Sequence, residues 1–325
     1  MKNPILDHLI LSTVAYYDCL AYPLTAFEIW KYLTQYADEN FAFGKDEFEV
    51  QKSVDFQTEK FSLEDVVMGL KNEAVKKNLE EWRGFYFLKS RRDLVGKRIV
   101  RNKIAMRKIK RLRKVVSWLC LIPFVRMIGV TGRLAMKNVQ RKSDWDVLVV
   151  LGSGRIWIGR TLITIFLQLI GKRRHGEKIQ DRICLNHFIT DASLEIRNQD
   201  LYAAGEYQFM FPLFGDEIFR KFRKENGWIK KYKPNYEPEE IGNFRILEDS
   251  KNSIIIRRIL EFLWGWNFLE KILGRIEKKK IENNPLTNES GSCIVATDEA
   301  LVFLPRPQGP DVIRNFAKKM SEFSR

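Results

Sequence analysis

Two aspartates at the start of an apolar strand constrain this chain more than any other feature of its sequence. Asp144 and Asp146 flank Trp145 and lead directly into the apolar segment 147–151. Side chains alternate between the two faces of a strand, so both carboxylates should project from the same face. Neighbouring carboxylates repel each other and resist desolvation unless a cation neutralises them. Because oxygen ligands of this kind suit Mg²⁺, the pair predicts a divalent-metal site.

The sequence around the pair resembles the nucleotidyltransferase motif of the DNA polymerase beta-like superfamily. Its parts are an apolar strand over 122–130, the turn Thr131-Gly132, roughly a dozen further residues, and then Ser143 with the Asp-Trp-Asp pair and a second apolar strand. The likeness covers about residues 115–200. Its spacing makes it more specific than an isolated Asp-x-Asp. The resemblance implies an α+β fold in which a mixed sheet is flanked by helices.

The resemblance also implies a chemistry and a set of site residues. Asp144 and Asp146 would hold two Mg²⁺ ions and promote transfer of a nucleoside monophosphate from a nucleoside triphosphate, such as ATP, to a hydroxyl group. Gly132 would let the phosphates approach the backbone closely. Ser143 would either bind a phosphate or cap the turn. A third carboxylate is expected on the strand over 182–189, where this chain has Asn186 as a neutral metal ligand.

Two positions depart from the family pattern and leave two functions open. Arg133 stands where a serine is expected, and it would either hold phosphate through its guanidinium or fill the triphosphate pocket. Asn186 lacks the charge of the third carboxylate, although Asp191 or Glu195 would replace it in a shifted strand register. The first function is an active Mg²⁺-dependent nucleotidyltransferase with an unidentified acceptor. The alternative is a degenerate, catalytically inactive protein that binds nucleic acid or regulates.

A strongly basic balance points to a polyanionic partner. The chain has 56 Lys and Arg against 41 Asp and Glu, a formal net charge of +15. Residues 97–114 carry ten basic side chains and no acidic one within an amphipathic helical pattern. We expect this helix to face RNA, DNA or nucleotide phosphates. An acidic membrane surface and a merely solvated face are the other interpretations.

The remaining periodicity divides the chain into three regions. Residues 1–95 predict a helical, winged-helix-like domain that either reads DNA or docks on the catalytic domain. Within it, Thr25 and Glu28 predict a capping box, one helix is expected from Ser62 through Val75, and residues 37–60 predict an inserted loop. Residues 96–225 predict the nucleotidyltransferase-like domain, in which 199–224 are expected to be helical. Residues 226–325 predict a mainly helical C-terminal region with one long helix over 251–281.

No membrane-spanning segment is expected. The apolar stretch 156–171 is interrupted by Arg160 and falls short of the roughly 20 residues that a span requires, so it predicts a buried helix. Peripheral membrane contact through 97–119 and 156–171 is a weaker alternative. Four cysteines without paired spacing, and the absence of a recognisable signal peptide, indicate a reducing, cytoplasmic setting without a zinc site. The sequence does not indicate the oligomeric state.

Overall fold

The computed structural model describes residues 3–35, 60–238 and 246–323. The N-terminal module combines short helices with a small sheet. Its elements are α1 (Pro4–Cys19), β1 (Leu24–Thr25), α2 (Ala26–Lys31), α3 (Leu63–Gly69), α4 (Glu73–Lys76), β2 (Leu79–Trp82) and β3 (Phe85–Leu88). Strand β3 pairs antiparallel with both β1 and β2. Apart from Lys60, the insertion predicted over 37–60 lies outside the described residues.

Side-chain caps fix where the short helices of this module begin. Thr25 and Glu28 form the predicted capping box at the start of α2. Ser62 and Asp65 form a second box at the start of α3. The single helix predicted from Ser62 through Val75 is divided, because the backbone turns at residues 70–72 and a new helix begins after Asn72.

The module and the rest of the chain share one hydrophobic core. The buried side chains of α1 pack with Leu201 and with Val312, Ile313 and Phe316 of the C-terminal helix α12 (Gly309–Phe323). The ring of Tyr16 meets the ring of Phe316 edge to face, with 5.6 Å between their centroids. A core shared in this way resists separation of the two parts, because separation would expose buried apolar surface to water.

The basic helix α5 (Asp93–Leu119) connects the module to the main sheet. Although residues 97–114 contain no acidic side chain, several of their ten cations pair with carboxylates from outside that segment. Lys108 is buried and bonds Asp181, which also pairs with Arg111. Arg98 pairs with Glu28. Lys97 pairs with Asp93 one turn earlier. The exposed cations Lys103, Arg107, Lys110 and Lys114 remain in solvent.

A six-stranded mixed sheet forms the centre of the fold, in the order β7-β4-β5-β6-β9-β8. Its strands are β4 (Val125–Val130), β5 (Trp145–Leu151), β6 (Ile183–Thr190), β7 (Phe211–Phe214), β8 (Cys293–Ala296) and β9 (Ala300–Leu304). Strands β5 and β6 are parallel and are joined across α7 (Ile156–Leu169), and the other neighbouring strands are antiparallel. This mixed sheet with flanking helices confirms the predicted α+β class.

Helices cover both faces of the sheet. One face packs against α5, α7 and α11 (Asn267–Glu282), with Trp145 and Trp157 fully buried between them. The other face packs against α8 (Leu201–Tyr207) and α9 (Asp216–Glu225), through residues such as Leu148 and Phe222. The predicted buried helix over 156–171 is therefore confirmed as α7.

Three sequence expectations about the second half of the chain are corrected. Residues 199–224 are not helical throughout, because Phe211–Phe214 are buried and pair with β4 as β7. The helix predicted over 251–281 is divided at Gly265 into α10 (Lys251–Trp264) and α11. The C-terminal region also supplies β8 and β9, which extend the central sheet from β6. The division into three domains stays a prediction.

Among the described residues, no helix is both long enough and apolar enough to cross a bilayer. All four cysteines are free thiols.

A half-buried histidine on β6 should make stability depend on pH. Burial lowers the pKa of His187 to about 4, and its Nδ1 lies 2.9 Å from the Tyr207 hydroxyl. The unfolded chain binds a proton at this residue near pH 6.5. Neutral His187 therefore stabilises the fold above that pH, and this contribution, up to roughly 3 kcal/mol, is lost as the pH falls towards 4.

We expect the free energy of unfolding of His187→Asn to depend less on pH between 7 and 4 than that of the wild type. Urea unfolding at several pH values measures this, and the difference isolates His187 because the two proteins share every other titrating group. Parallel pH profiles would contradict the assignment.

Candidate functional site

The two predicted aspartates lie side by side where β5 begins. Asp144 immediately precedes the strand, and Asp146 is its second residue. Because β5 and β6 are parallel, Asp146 is paired with Cys184 across the sheet. One oxygen from each carboxylate and the Cys184 Sγ all lie within 4.8 Å of one another. The strand alternation predicted from sequence therefore brings the two acids together, and β6 adds a thiol.

The surroundings of the Asp146 carboxylate disfavour its charged form. Burial, followed by the nearby charge of Asp144, raises the pKa of Asp146 to about 7, and the Arg174 guanidinium opposes this shift. Burial and the charge of Asp146 also raise the pKa of the Cys184 thiol to about 11. Without a metal ion the thiol therefore stays protonated at neutral pH. The two carboxylates are the charged donors of the group, and their oxygens favour a hard cation such as Mg²⁺ or Mn²⁺.

Gly132 lies directly against this acid. Its φ of +60° is a left-handed conformation that favours glycine, and a Cβ built at this position would lie 2.9 Å from Asp146 Oδ2. The backbone N–H of Thr131 donates to the Asp146 carbonyl oxygen at 3.1 Å, which holds the turn beside β5. A side chain at residue 132 would thus displace the Asp146 carboxylate, so the glycine is needed for contact geometry as well as for backbone conformation.

Glu206 of α8 is a third acidic residue that the sequence analysis missed. The backbone N–H of Gly132 lies close enough to its carboxylate to favour the charged form. Burial, followed by the charges of Asp146 and Asp200, raises the pKa of Glu206 to about 7. A phosphate at the Gly132 turn would meet this carboxylate unless a cation or a proton neutralised it. No local sequence pattern predicts Glu206, because it lies some 60 residues after the acidic pair and comes close to it only in the folded chain.

An arginine already serves as an internal counter-ion. Arg174 Nη1 lies 2.6 Å from Asp144 Oδ2 and donates to Cys184 Sγ at 3.2 Å. The residue comes from the loop between α7 and β6, where its backbone N–H donates to the Ile183 carbonyl at 2.9 Å. Its side chain is 43% exposed. A metal ion at the aspartates would therefore compete with a solvent-accessible guanidinium.

The other predicted phosphate contacts lie near the pair in different settings. Arg133 is exposed on the short helix α6 (Gly132–Ala135), and its charge acts on Arg101 and Tyr202. The Ser143 hydroxyl accepts from the Gln140 N–H at 3.1 Å, which is the turn-capping role allowed by the sequence. Phosphate binding by either residue stays a prediction.

Asn186 does not stand opposite Asp146. The register of β5 and β6 shifts between Asp146 and Leu148, so Cys184 pairs with Asp146 and His187 pairs with Leu148, which leaves Asn186 in the irregular segment between them. Its role as a ligand stays a prediction.

The expectation that Asp191 or Glu195 takes the place of Asn186 at the metal site is wrong. Asp191 lies at the far end of β5, where its N–H bonds the Leu151 carbonyl and its carboxylate accepts from the Ser153 N–H. Glu195 accepts from Gln199 in the segment between β6 and α8. Neither carboxylate joins the group formed by Asp144, Asp146 and Cys184.

Replacing Gly132 should damage the metal site more than the fold. Gly132→Ala and Gly154→Ala both place alanine at positive φ, but a Cβ at Gly154 meets nothing within 4 Å. We expect each variant to lose about 1–2 kcal/mol in the free energy of unfolding. Only Gly132→Ala should weaken Mn²⁺ binding, by roughly tenfold, because the Asp146 carboxylate must move. Equal metal affinities in the two variants, measured by calorimetry, would contradict this contact.

Removing the internal counter-ion should strengthen metal binding. In Arg174→Gln the guanidinium no longer competes for Asp144, so we expect the affinity for Mg²⁺ or Mn²⁺ to rise several-fold. Because the ion pair is exposed, we expect the metal-free protein to lose at most about 1 kcal/mol of stability. Lys178→Gln, which removes an exposed charge from the same loop, is the matched control. Unchanged or weaker metal binding in Arg174→Gln would show that the guanidinium does not compete.

Comparison with known proteins gives no relative from which a function follows: no protein-family model matches the chain, and neither the curated proteins nor the solved structures contain a significant match.

Proposed function

We propose that this chain is a Mg²⁺-dependent nucleotidyltransferase that moves a nucleoside monophosphate from a nucleoside triphosphate to a hydroxyl of an acceptor. The observation that carries the proposal is the juxtaposition of Asp144 and Asp146 with the Gly132 turn. Two carboxylates for a metal ion and a stretch of backbone without a side chain meet at one edge of the sheet. Binding a metal-bound triphosphate requires these two features together.

The donor set fits a hard divalent cation. Asp144 and Asp146 would hold the ion, and the protonated Cys184 thiol would stay outside its coordination. Bound Mg²⁺ supplies charge neutralisation for the phosphates and activation of the attacking hydroxyl. The raised pKa of Asp146 supports this assignment, because a nearby cation would remove the repulsion that raises it.

The basic side chains around the turn supply the complementary charge for a triphosphate. Arg133 is exposed beside Gly132, and Arg101 lies close enough for the two guanidinium charges to affect each other. Neighbouring guanidinium groups repel each other, and an anionic ligand beside them would relieve this repulsion. Phosphate groups at the Gly132 turn would lie within the field of both arginines.

A second candidate function rests on a different surface. The exposed cations Lys103, Arg107, Lys110 and Lys114 recur at intervals of four, three and four residues, so they form one stripe along α5. Such a stripe favours a nucleic-acid backbone. A degenerate, inactive nucleotidyltransferase-like protein that binds nucleic acid through this stripe is therefore the alternative.

The N-terminal module supports docking more than DNA reading. Its order of helices and strands, with three antiparallel strands, resembles that of a winged helix. However, α3, which would be its recognition helix, presents Glu64 and Asp65 to solvent, and these carboxylates repel phosphates. The core that the module shares with α12 also favours a docking role.

Titration calorimetry of each of the four Mg²⁺-nucleoside triphosphates into the purified protein tests the first proposal. We expect binding of at least one nucleotide, and we expect the affinity to fall by tenfold or more in Asp146→Asn, because that substitution removes a charged metal ligand. Asp311→Asn is the matched control, since Asp311 is an exposed residue of α12 that pairs only locally with Arg314.

Binding that survives in Asp146→Asn, or no binding of any triphosphate, would contradict nucleotidyl transfer at this site. In the second case, the alternative predicts that single-stranded RNA binds the wild type, with an affinity that falls steeply as salt is raised. It also predicts that Lys103→Glu combined with Lys110→Glu abolishes this binding.

A further inference from the structure

The helical hairpin formed by α10 and α11 presents an unusual number of large apolar side chains to solvent. None of the residues of α10 is buried. At the turn between the helices, Phe262 is 84% exposed, Trp266 is 67% exposed and Phe268 is 70% exposed. Further along the two helices, Ile255, Ile259 and Ile276 are also exposed. Contiguous apolar surface of this kind usually marks a binding site rather than ordinary surface.

The aromatic residues at the turn form a groove. Five apolar side chains line an open depression of about 460 Å³, namely Leu263, Trp264, Trp266, Phe268 and Leu269. Tryptophan is favoured at the boundary between water and lipid, because its ring is apolar while its N–H seeks a polar partner. The composition of this turn therefore suits an interface between lipid and water.

The acidic residues of the hairpin mostly face the protein. Glu261 accepts from the Phe124 N–H and from Arg126 Nη1, at 2.9 and 2.6 Å. Glu270 accepts from the first N–H groups of α7, those of Trp157 and Ile158, each at 2.9 Å.

Glu277 pairs with Arg160 of α7. These inward carboxylates attach the hairpin to the sheet and to α7, and they leave its outer surface almost free of negative charge.

The outward charges are nearly all positive. Within Lys251–Glu282, the exposed acidic side chain is Glu282. The exposed basic side chains of the same segment are Lys251, Arg258, Lys271, Arg275, Lys279 and Lys280. A helical surface that combines exposed aromatic residues with a basic rim matches the chemistry of an anionic lipid surface, where the rings enter the boundary of the acyl chains and the cations meet the headgroups.

We infer that the α10–α11 hairpin docks on the surface of a membrane that contains anionic lipids. A second copy of this chain fits the outer surface of the hairpin less well, because a two-fold contact would place the same basic rim against itself and so add repulsion between like charges. The contact is peripheral, since no described helix is fit to span a bilayer. The inference does not depend on nucleotidyl transfer, because the hairpin meets β4 through Arg126, at the opposite end of the strand from the Gly132 turn.

Flotation of the full chain with lipid vesicles tests this inference. The probes are vesicles of phosphatidylcholine alone and vesicles that also contain phosphatidylglycerol. We expect salt-sensitive binding to the anionic vesicles. Phe262→Ser combined with Phe268→Ser should reduce the partition coefficient by roughly tenfold or more, because two exposed rings no longer leave water on binding. Lys271→Glu combined with Lys279→Glu should also reduce it.

The matched control is Phe27→Ser combined with Met68→Ser, which removes two exposed apolar side chains of the N-terminal module. It should bind vesicles as the wild type does, and thermal unfolding should confirm that all variants fold. Absence of binding to anionic vesicles, or full binding by the Phe262/Phe268 variant, would overturn the inference. A dimer that dissociates in that variant, without vesicle binding by the wild type, would also overturn it and assign the face to a second copy.

Discussion

The parallel pairing of β5 with β6 determines the chemistry at the acidic end of the sheet. It places Cys184 opposite Asp146 and moves Asn186 into an irregular segment. The loop that leads into β6 also carries Arg174 to Asp144. A one-residue change of this register would turn the polar side chains of β6 to the opposite face of the sheet. The large apolar side chains of that strand, such as Ile183 and Phe188, are fully buried against α5 and α7, and this burial keeps the register in place.

Charge balance at the site follows from this arrangement. Asp146 and Glu206 are both partly withdrawn from water and approach the Gly132 turn from different elements, and the charge of Asp146 raises the pKa of Glu206. Arg174 balances Asp144 from the solvent side. The three carboxylates of Asp144, Asp146 and Glu206 thus carry more negative charge at neutral pH than Arg174 alone balances, unless protons are bound. Such an imbalance is costly to maintain in a fold without a function for it, which is why we connect it to cation binding.

The sequence predicted the local features of the site well and the long-range ones poorly. Strand alternation was enough to put Asp144 and Asp146 on one face, and the Thr25 capping box was readable from spacing alone. Glu206 was not readable, because a tertiary contact brings α8 to the Gly132 turn. The sequence predicts a helix over 211–214, because a continuous apolar run has no period that distinguishes a buried strand from a buried helix. The pairing of this segment with β4 shows that it is a strand.

The basic helix α5 shows how one element can serve two surfaces. Buried Lys108 donates to the Ser143 carbonyl at 2.7 Å, directly before Asp144, while Lys103 and Lys110 point into solvent. The outer cations and the loop of the acidic pair are therefore separated by little more than one helix diameter, about 10 Å. Any polyanion lying along the outside of α5 would lie next to the carboxylates rather than at a remote site. Its negative charge would favour binding of a cation between the polyanion and the carboxylates.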